Sequence, residues 1–231
     1  MNALLPVVTL DGPAGVGKTT ISRRLADNLG LPYLDTGAMF RCLALRLGPD
    51  AENLSETAVR KCCADCRFSL QGRGSATTLA CDGTPVGNEI RAEQVGMAAA
   101  RIAKLPVVRE ALAKAQRAMG EMEPLVCEGR DMGTEIFPNA AFKFFLDASP
   151  EIRAARRLHD LENRGQTADL GALTEQIRQR DTMDRTRAIA PLRPASDAIL
   201  IDTSHLSIEE VLGTILHNID VRGGLRKKPR S

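Results

Sequence analysis

The chain has 231 residues, of which 43% are hydrophobic and 26% charged, a composition typical of a folded globular protein and not of a disordered or collagen-like one. Its 31 basic residues nearly balance 29 acidic ones, and a net charge of +2 argues against a general nucleic-acid-binding protein. No apolar run reaches the ~20 residues of a membrane-spanning helix, and residues 1–10 lack the basic start of an export signal. We therefore expect a cytoplasmic monomer that contacts neither nucleic acid nor membrane.

Short β-branched runs alternate with helical patterns along most of the chain. The run Val7–Asp11 predicts a buried strand that enters a glycine-proline turn, and a helical pattern extends from Lys18 to Leu29. Further strands are predicted at residues 34–35, 125–127, 142–146 and 198–201. Further helices are predicted at residues 38–47, 90–103, 106–119 and 151–163, and after a capping box at 207–210. This alternation indicates a parallel sheet with helices on both faces.

One segment departs from the alternation of strands and helices. Residues 67–86 combine alternating apolar positions with two glycine-containing turns, at 71–75 and 82–84. Such a pattern is typical of a small antiparallel hairpin or meander. Because it interrupts an α/β pattern, we interpret it as an inserted lobe.

The segment from Gly12 to Thr19 reads Gly-Pro-Ala-Gly-Val-Gly-Lys-Thr and matches the phosphate-binding pattern G-x-x-x-x-G-K-[ST] between a predicted strand and a predicted helix. Its glycines let backbone N–H groups curl around phosphate oxygens, and the helix N-terminus adds its dipole. We expect Lys18 to bridge the β- and γ-phosphates of ATP, and the Thr19 hydroxyl to ligate Mg²⁺. The expected ATP-binding residues are Gly12, Pro13, Ala14, Gly15, Val16, Gly17, Lys18, Thr19 and Thr20.

A loop of this kind serves switch GTPases, motor ATPases and small-molecule kinases. No Asn is followed by Lys, so the Asn-Lys-x-Asp guanine-reading motif of GTPases is missing. Residues 151–187 carry eight arginines, seven acids and no lysine, and a guanidinium fork matches two phosphate oxygens at once. Two interpretations of this segment stay open: a mobile lid over a charged substrate, or a solvated helical face held by i,i+4 pairs such as Arg180 with Asp184 and Asp181 with Arg185.

The six cysteines include the pair Cys63 and Cys66, whose spacing is that of a zinc knuckle. The chain contains no second pair of this spacing and no secretion signal. We therefore expect unpaired thiols that pack as small hydrophobic side chains, and not a metal site or a disulfide framework.

Six motifs follow one another in order along the chain. They lie at 11–19, 34–41, 89–91, 108–109, 128–134 and 180–187. On these motifs the chain, from Val7 to His217, resembles the bacterial-type cytidylate kinases, which are nucleoside monophosphate kinases. The resemblance implies Mg²⁺-assisted transfer of a phosphoryl group from ATP to CMP or dCMP, giving CDP or dCDP. Two alternatives stay open: a kinase of another small acceptor such as UMP or dUMP, and a nucleotide-dependent regulatory P-loop protein.

The resemblance also implies which residues bind the acceptor. Arg41 and Arg130 would hold its α-phosphate, and Arg109 and Asp131 would read the cytosine edge. An arginine that donates to the carbonyl and an aspartate that accepts from the amine are complementary to cytosine. The full acceptor set is Thr36, Arg41, Arg109, Arg130, Asp131, Arg180 and Asp184.

Further roles implied by the resemblance concern the sugar and the transferred phosphate. Arg180 and Asp184, with Thr36, would face the sugar hydroxyls. Arg156 and Arg187 would reach the donor phosphates when the lid closes. The implied catalytic residues are Lys18, Arg130, Arg156 and Arg187.

Four positions depart from the common family pattern. Thr36 stands where Ser is frequent, Phe40 where Tyr is frequent, and Glu128 where Asp is frequent. Ala100 aligns with a serine expected to contact the base, and loss of that hydroxyl would relax discrimination between cytosine and uracil.

The expected fold is an α/β, P-loop NTPase three-layer fold with a parallel five-stranded sheet, a small inserted antiparallel β lobe and a helical lid. The expected division of the single chain is a core at 5–62, 104–150 and 188–220, an acceptor-binding insert at about 63–103, a lid at about 151–187 and a basic tail at 221–231.

Overall fold

The computed structural model describes residues 5–163 and 165–223. It contains eight strands within these residues. They are β1 Leu5–Asp11, β2 Tyr33–Asp35, β3 Phe68–Gln71, β4 Thr78–Cys81, β5 Thr84–Pro85, β6 Leu125–Gly129, β7 Ala140–Asp147 and β8 Ile199–Asp202. The central sheet has the order β2-β6-β1-β7-β8, and every pair in it is parallel. The expected five-stranded parallel sheet is confirmed.

Eight α-helices accompany the strands in the described residues. They are α1 Lys18–Leu29, α2 Thr36–Leu47, α3 Glu56–Ala64, α4 Glu93–Ile102, α5 Pro106–Met122, α6 Pro150–Glu162, α7 Leu170–Thr186 and α8 Ile208–Val221. The predicted capping box is present at α8, where Ser207 accepts from the Glu210 amide and the Glu210 carboxylate accepts from the Ser207 amide. Such reciprocal bonds satisfy amides that the helix itself cannot.

Two apolar clusters cover the two faces of the parallel sheet. On one face Leu10 and Phe144 pack with residues of α1 and α8. On the other face Val7 and Leu125 pack with residues of α2 and α5, including Leu112. Each of these side chains is at most 3% exposed, and burial of a side chain of this size contributes about 2 kcal/mol. This packing brings the carboxyl ends of β1 and β6 to one edge of the sheet, where open α/β sheets bind ligands.

The inserted lobe is a three-stranded antiparallel sheet of order β3-β4-β5, as the sequence predicts. Its second turn begins at Asp82, which adopts a left-handed φ of 53° before Gly83. The helix predicted at 90–103 is shorter, because residues 88–91 form a 3₁₀ turn and Ala92 is extended (ψ 143°) before α4 begins.

No helix in the described ranges combines the length and the apolar character that spanning a membrane requires. Helix α8 ends at Val221, and residues 224–231 of the predicted basic tail lie outside the described residues.

Candidate active site

The loop between β1 and α1 adopts a conformation that its glycines permit. Gly12 has φ 149°, and a Cβ at this position would lie 2.1 Å from the carbonyl oxygen of Leu146. Gly17 is left-handed (φ 94°) and is the N-cap of α1. Because glycine has no side chain, the first amides of α1 receive no side-chain cap. The loop is therefore a backbone cradle with the positive end of a helix dipole at its base.

Lys18 is held inside this loop and is only 6% exposed. Its Nζ donates to the carbonyl oxygens of Gly12 at 2.8 Å and Pro13 at 2.6 Å. Burial and, second, the charge of Arg130 lower its pKa to about 7, while nearby carboxylates oppose the shift. An anion bound in the cradle would favour the charged form of this amine.

Asp11 joins the end of β1 to the segment that follows β6. Its carboxylate accepts from the amides of Met132 at 2.9 Å and Gly133 at 2.8 Å. Burial raises its pKa to about 6, although these two hydrogen bonds act in the opposite direction. The bonds hold the 131–133 segment beside the phosphate-binding loop.

Glu128 accepts hydrogen bonds from three hydroxyl groups near the loop. Its Oε1 accepts from the Thr19 hydroxyl at 2.7 Å and from the Tyr33 hydroxyl, and its backbone oxygen accepts from Thr36 at 2.7 Å. Burial raises the pKa of Glu128, and the charge of Asp35 adds to the shift. Hydroxyl and carboxylate oxygens are hard donors that suit Mg²⁺, which binds through few protein ligands. Within residues 5–163 and 165–223 no group of three or more His, Cys, Asp or Glu forms a metal cluster.

Arg109 of α5 and Asp131, which follows β6, form a buried ion pair. The other Asp131 oxygen lies 3.3 Å from an Arg187 nitrogen. Burial raises the pKa of Asp131, and the two arginines limit the shift. The Arg109 guanidinium also lies 5.9 Å from the centre of the Phe40 ring. The sequence-predicted base-reading pair is thus brought together, with the aromatic ring beside it.

A second group of charged residues lies where α7 meets the end of β6. Arg130 Nε donates to Asp184 at 2.8 Å, and this charge lowers the pKa of Asp184 although burial acts in the opposite direction. Arg180 Nε is buried and has no hydrogen-bond partner among the described residues. Burial lowers the pKa of Arg180 to about 10, and Arg130 contributes. Arg41 donates to backbone oxygens, including that of Ile90 at 2.8 Å.

Two predicted catalytic arginines make hydrogen bonds away from the loop at 12–17. Arg156 donates to the backbone oxygen of Thr203 at 2.5 Å and to its hydroxyl at 3.3 Å, after the end of β8. Arg187 donates to the backbone oxygen of Ala190 at 2.6 Å in addition to its contact with Asp131. Neither side chain makes a hydrogen bond to the phosphate-binding loop among the described residues.

Arg153 is a residue of the site that sequence reasoning missed. It is 1% exposed, donates to the backbone oxygens of Ala14 at 3.0 Å and Ala148 at 2.9 Å, and forms a two-pronged ion pair with Asp181. It connects the phosphate-binding loop to α7. The sequence marks it only as one of eight arginines in residues 151–187, so no signal separated it from the exposed ones.

The i,i+4 pairs suggested for a solvated helical face are wrong. Asp184 pairs with Arg130 and Asp181 with Arg153, whereas Arg185 lies 3.1 Å from Asp147. Asp181 and Asp184 therefore bind arginines of other elements, because that face of the helix packs against the sheet edge and α6.

Comparisons with known proteins agree with this geometry. The family described as cytidylate kinase matches residues 8–221. The cytidylate kinase of Nitratidesulfovibrio vulgaris is 61% identical over 223 residues, which is 96% of each chain. That of Oleidesulfovibrio alaskensis is 54% identical and covers 92% of this chain and 97% of its own, and that of Pseudomonas paraeruginosa is 44% identical and covers 96% and 99%. The chain belongs to the cytidylate kinase family.

Proposed function

We propose that this chain transfers the γ-phosphoryl group of ATP to the α-phosphate of CMP or dCMP, giving ADP with CDP or dCDP. Membership of the cytidylate kinase family supports this reaction. The observation that carries it is the buried pair of Arg109 and Asp131 just beyond β6, beside the phosphate-binding loop. The guanidinium donor and the carboxylate acceptor lie side by side and match the carbonyl and the exocyclic amine of cytosine. The carboxylate does not match uracil, which carries a carbonyl oxygen in place of that amine.

On the donor side, the backbone amides of residues 12–19 would surround the ATP phosphates. Lys18, already held at the base of the loop, would neutralise charge that develops on the transferred group. Thr19 and Glu128 would hold Mg²⁺, since their oxygens are 2.7 Å apart and are donors of the right class. A bound Mg²⁺ would supply charge neutralisation at the β- and γ-phosphates.

On the acceptor side, Arg41 and Arg130 would bind the α-phosphate, whose oxygen is the attacking atom. This oxygen is already anionic, so the reaction needs no general base, and catalysis consists of positioning and charge neutralisation. In the absence of a phosphate, Arg41 donates to backbone oxygens and Arg130 to Asp184. A phosphate would take over part of these contacts.

The sugar would be bound by Arg180, Asp184 and Thr36. Arg180 offers a buried Nε without a hydrogen-bond partner among the described residues, which a ligand oxygen would satisfy. An unsatisfied buried donor costs about 1–3 kcal/mol, so a ligand that accepts from it gains correspondingly.

We propose that α6 and α7 form a lid over the donor phosphates, within the division into core, insert and lid predicted above. Arg156 and Arg187 would exchange their contacts with Thr203 and Asp131 for phosphate oxygens as the lid closes. Thr203 is neutral, and Asp131 already pairs with Arg109. Exchanging these contacts for hydrogen bonds to the highly charged ATP phosphates is therefore favourable.

An acceptor panel tests this function. Purified chain is given ATP and Mg²⁺ with CMP, dCMP, UMP, dUMP, AMP or no acceptor, and ADP release is followed. We expect the largest kcat/KM for CMP or dCMP and a measurable rate with UMP, because Ala100 supplies no hydroxyl on α4. ADP release that does not depend on an acceptor would contradict the proposal and favour a regulatory P-loop protein.

A further inference from the structure

Five of the six cysteines gather where α2, α3 and the antiparallel sheet meet. We use the term thiol cluster for Cys42, Cys62, Cys66 and Cys81. Besides burial, the Cys81 thiol affects the pKa of Cys42 and the Cys66 thiol affects that of Cys62, so the two thiols of each pair lie close together, and all six cysteines are free. Cys42, Cys62 and Cys66 are partly exposed, whereas Cys81 is buried. Reagents in solution can therefore reach three of the four thiols.

One thiol of the cluster has a cationic partner. Arg46, one turn beyond Cys42 on α2, donates from Nη1 to the Cys66 sulfur at 3.1 Å and from Nη2 to the Asp82 carboxylate. Asp82 is itself fixed, because its other oxygen accepts from the Arg67 amide at 2.8 Å. The guanidinium is thus oriented toward the sulfur. A positively charged donor therefore lies within hydrogen-bond distance of a partly exposed sulfur, an arrangement that is typical of reactive cysteines.

Among the side chains that the structure describes, no cationic group donates to any other cysteine sulfur. Burial raises the pKa of Cys42 and of Cys62, and it raises that of Cys63 to about 11. Cys127 is fully buried in β6. Burial thus keeps these thiols protonated at neutral pH, and we expect the sulfur that contacts Arg46 to react first.

Cys62 is positioned to react next. It lies on the last turn of α3, four residues before Cys66, and the Cys66 thiol is close enough to affect its pKa. Helix α3 ends at Ala64, so Cys66 is outside the helical hydrogen-bond ladder and is held by one bond, from its amide to the Cys63 oxygen at 3.3 Å. The backbone at Cys66 can therefore adjust to the geometry that a disulfide requires.

We propose that Cys66 is an oxidation site whose thiolate is activated by Arg46 and resolved by Cys62. The thiolate of Cys66 attacks the distal oxygen of a hydroperoxide, the O–O bond breaks, and a sulfenic acid and an alcohol (water from hydrogen peroxide) result once the leaving oxygen takes up a proton. The Cys62 sulfur then attacks the sulfenic sulfur and loses its proton, and water leaves as the disulfide forms. This inference does not depend on the proposed kinase activity.

The first experiment measures thiol reactivity in the whole folded chain by timed iodoacetamide labelling and peptide mass spectrometry. Cys66 is expected to react about tenfold faster than Cys62 or Cys63. Arg46→Gln should slow Cys66 by about tenfold, whereas Arg73→Gln, a matched control that removes another exposed, ion-paired arginine (Arg73 with Glu123, 2.7 Å), should change the rate less than about threefold. Equal rates at the three cysteines, or an equal slowing in both variants, would overturn the activation by Arg46.

The second experiment identifies the partner thiol. After treatment with hydrogen peroxide, the tryptic peptide 62–67 should have lost two hydrogen atoms in the wild-type chain and in Cys63→Ser. The Cys62→Ser variant should instead accumulate a sulfenic acid at Cys66 that dimedone traps. A disulfide that persists in Cys62→Ser but disappears in Cys63→Ser would overturn the assignment of Cys62. The chain could instead purify with one tightly bound zinc ion that protects all four thiols of the cluster from labelling. That result would overturn the oxidation site and indicate a metal site.

Discussion

The donor and acceptor halves of the site are built by different means. The donor half lies in one continuous segment, 12–19, and its shape depends on local backbone geometry, above all on the positive φ values of its glycines. The acceptor half is assembled from α2, α5, α7 and the residues that follow β6, and ion pairs between distant arginines and aspartates hold it together. The donor half is therefore a backbone cradle formed before any ligand binds. The acceptor half is a set of charges that satisfy one another until a nucleotide competes for them.

This difference predicts that mutations in the two halves change different kinetic properties. A change in the donor half should reduce the rate of transfer. A change in the acceptor half should reduce recognition of one substrate and leave the other almost untouched.

The largest effect is expected for Lys18→Ala. Loss of the lysine that contacts the loop carbonyls removes charge neutralisation from the transferred phosphate, and kcat should fall by about three orders of magnitude or more. Steady-state kinetics with saturating ATP and CMP measures this. Lys143→Met is a matched control, because Lys143 is equally buried but pairs with Asp197. Its kcat should remain within about threefold of the wild-type value in the folded fraction, and a comparable loss in both variants would contradict a specific role of Lys18.

The next largest effect is expected for Arg109→Ala and for Asp131→Ala. Each variant breaks the buried pair that would read the base, so kcat/KM for CMP should fall by about a hundredfold while KM for ATP changes less than about threefold. Initial rates measured with each substrate varied in turn separate the two effects. An equal loss on the ATP side would show that the pair does not belong to the acceptor half.

The buried amine of Lys18, in the donor half, predicts that the stability of the folded chain depends on pH. Its pKa is 10.5 in the unfolded chain and about 7 in the folded, ligand-free chain. Between these values the unfolded state binds the additional proton, so the free energy of unfolding contributed by this group rises with pH. Relative to Lys18→Met, the wild-type chain should gain on the order of 2 kcal/mol between about pH 7 and about pH 9.5. Denaturant titrations of both proteins test this, and a constant difference between them would contradict it.

The smallest effect is expected for Tyr33→Phe. This change removes one donor to Glu128 but keeps the aromatic ring, which lies 5.3 Å from the Arg23 guanidinium. Glu128 and Thr19 should then be less well oriented, and the Mg²⁺ concentration for half-maximal activity should rise by about three- to tenfold while kcat at saturating Mg²⁺ changes little. A fall in kcat with no change in the Mg²⁺ requirement would contradict this positioning role.

The same contrast explains what the sequence could predict. The phosphate-binding loop, the capping box of α8 and the inserted antiparallel lobe were predictable, because each depends on residues close together in the chain. The roles in the acceptor half came from the resemblance to a family and not from spacing.

What the sequence could not reveal consists of long-range contacts. Arg153 reaches Ala14 across 139 positions, and the Tyr33 hydroxyl reaches Glu128 across 95. One of the two interpretations of residues 151–187 pairs Asp181 and Asp184 with arginines of their own helix, but tertiary packing directs both to arginines outside it. Helical spacing alone carries no information about such partners.

The most direct test of the account is to identify the products of a single reaction mixture by ³¹P NMR. The purified chain is incubated with ATP, Mg²⁺ and CMP, and the phosphorus signals of all nucleotides are followed. We expect CDP and ADP to appear in equal amounts as CMP and ATP disappear, with no inorganic phosphate. Formation of ADP and inorganic phosphate with CMP unchanged would contradict it.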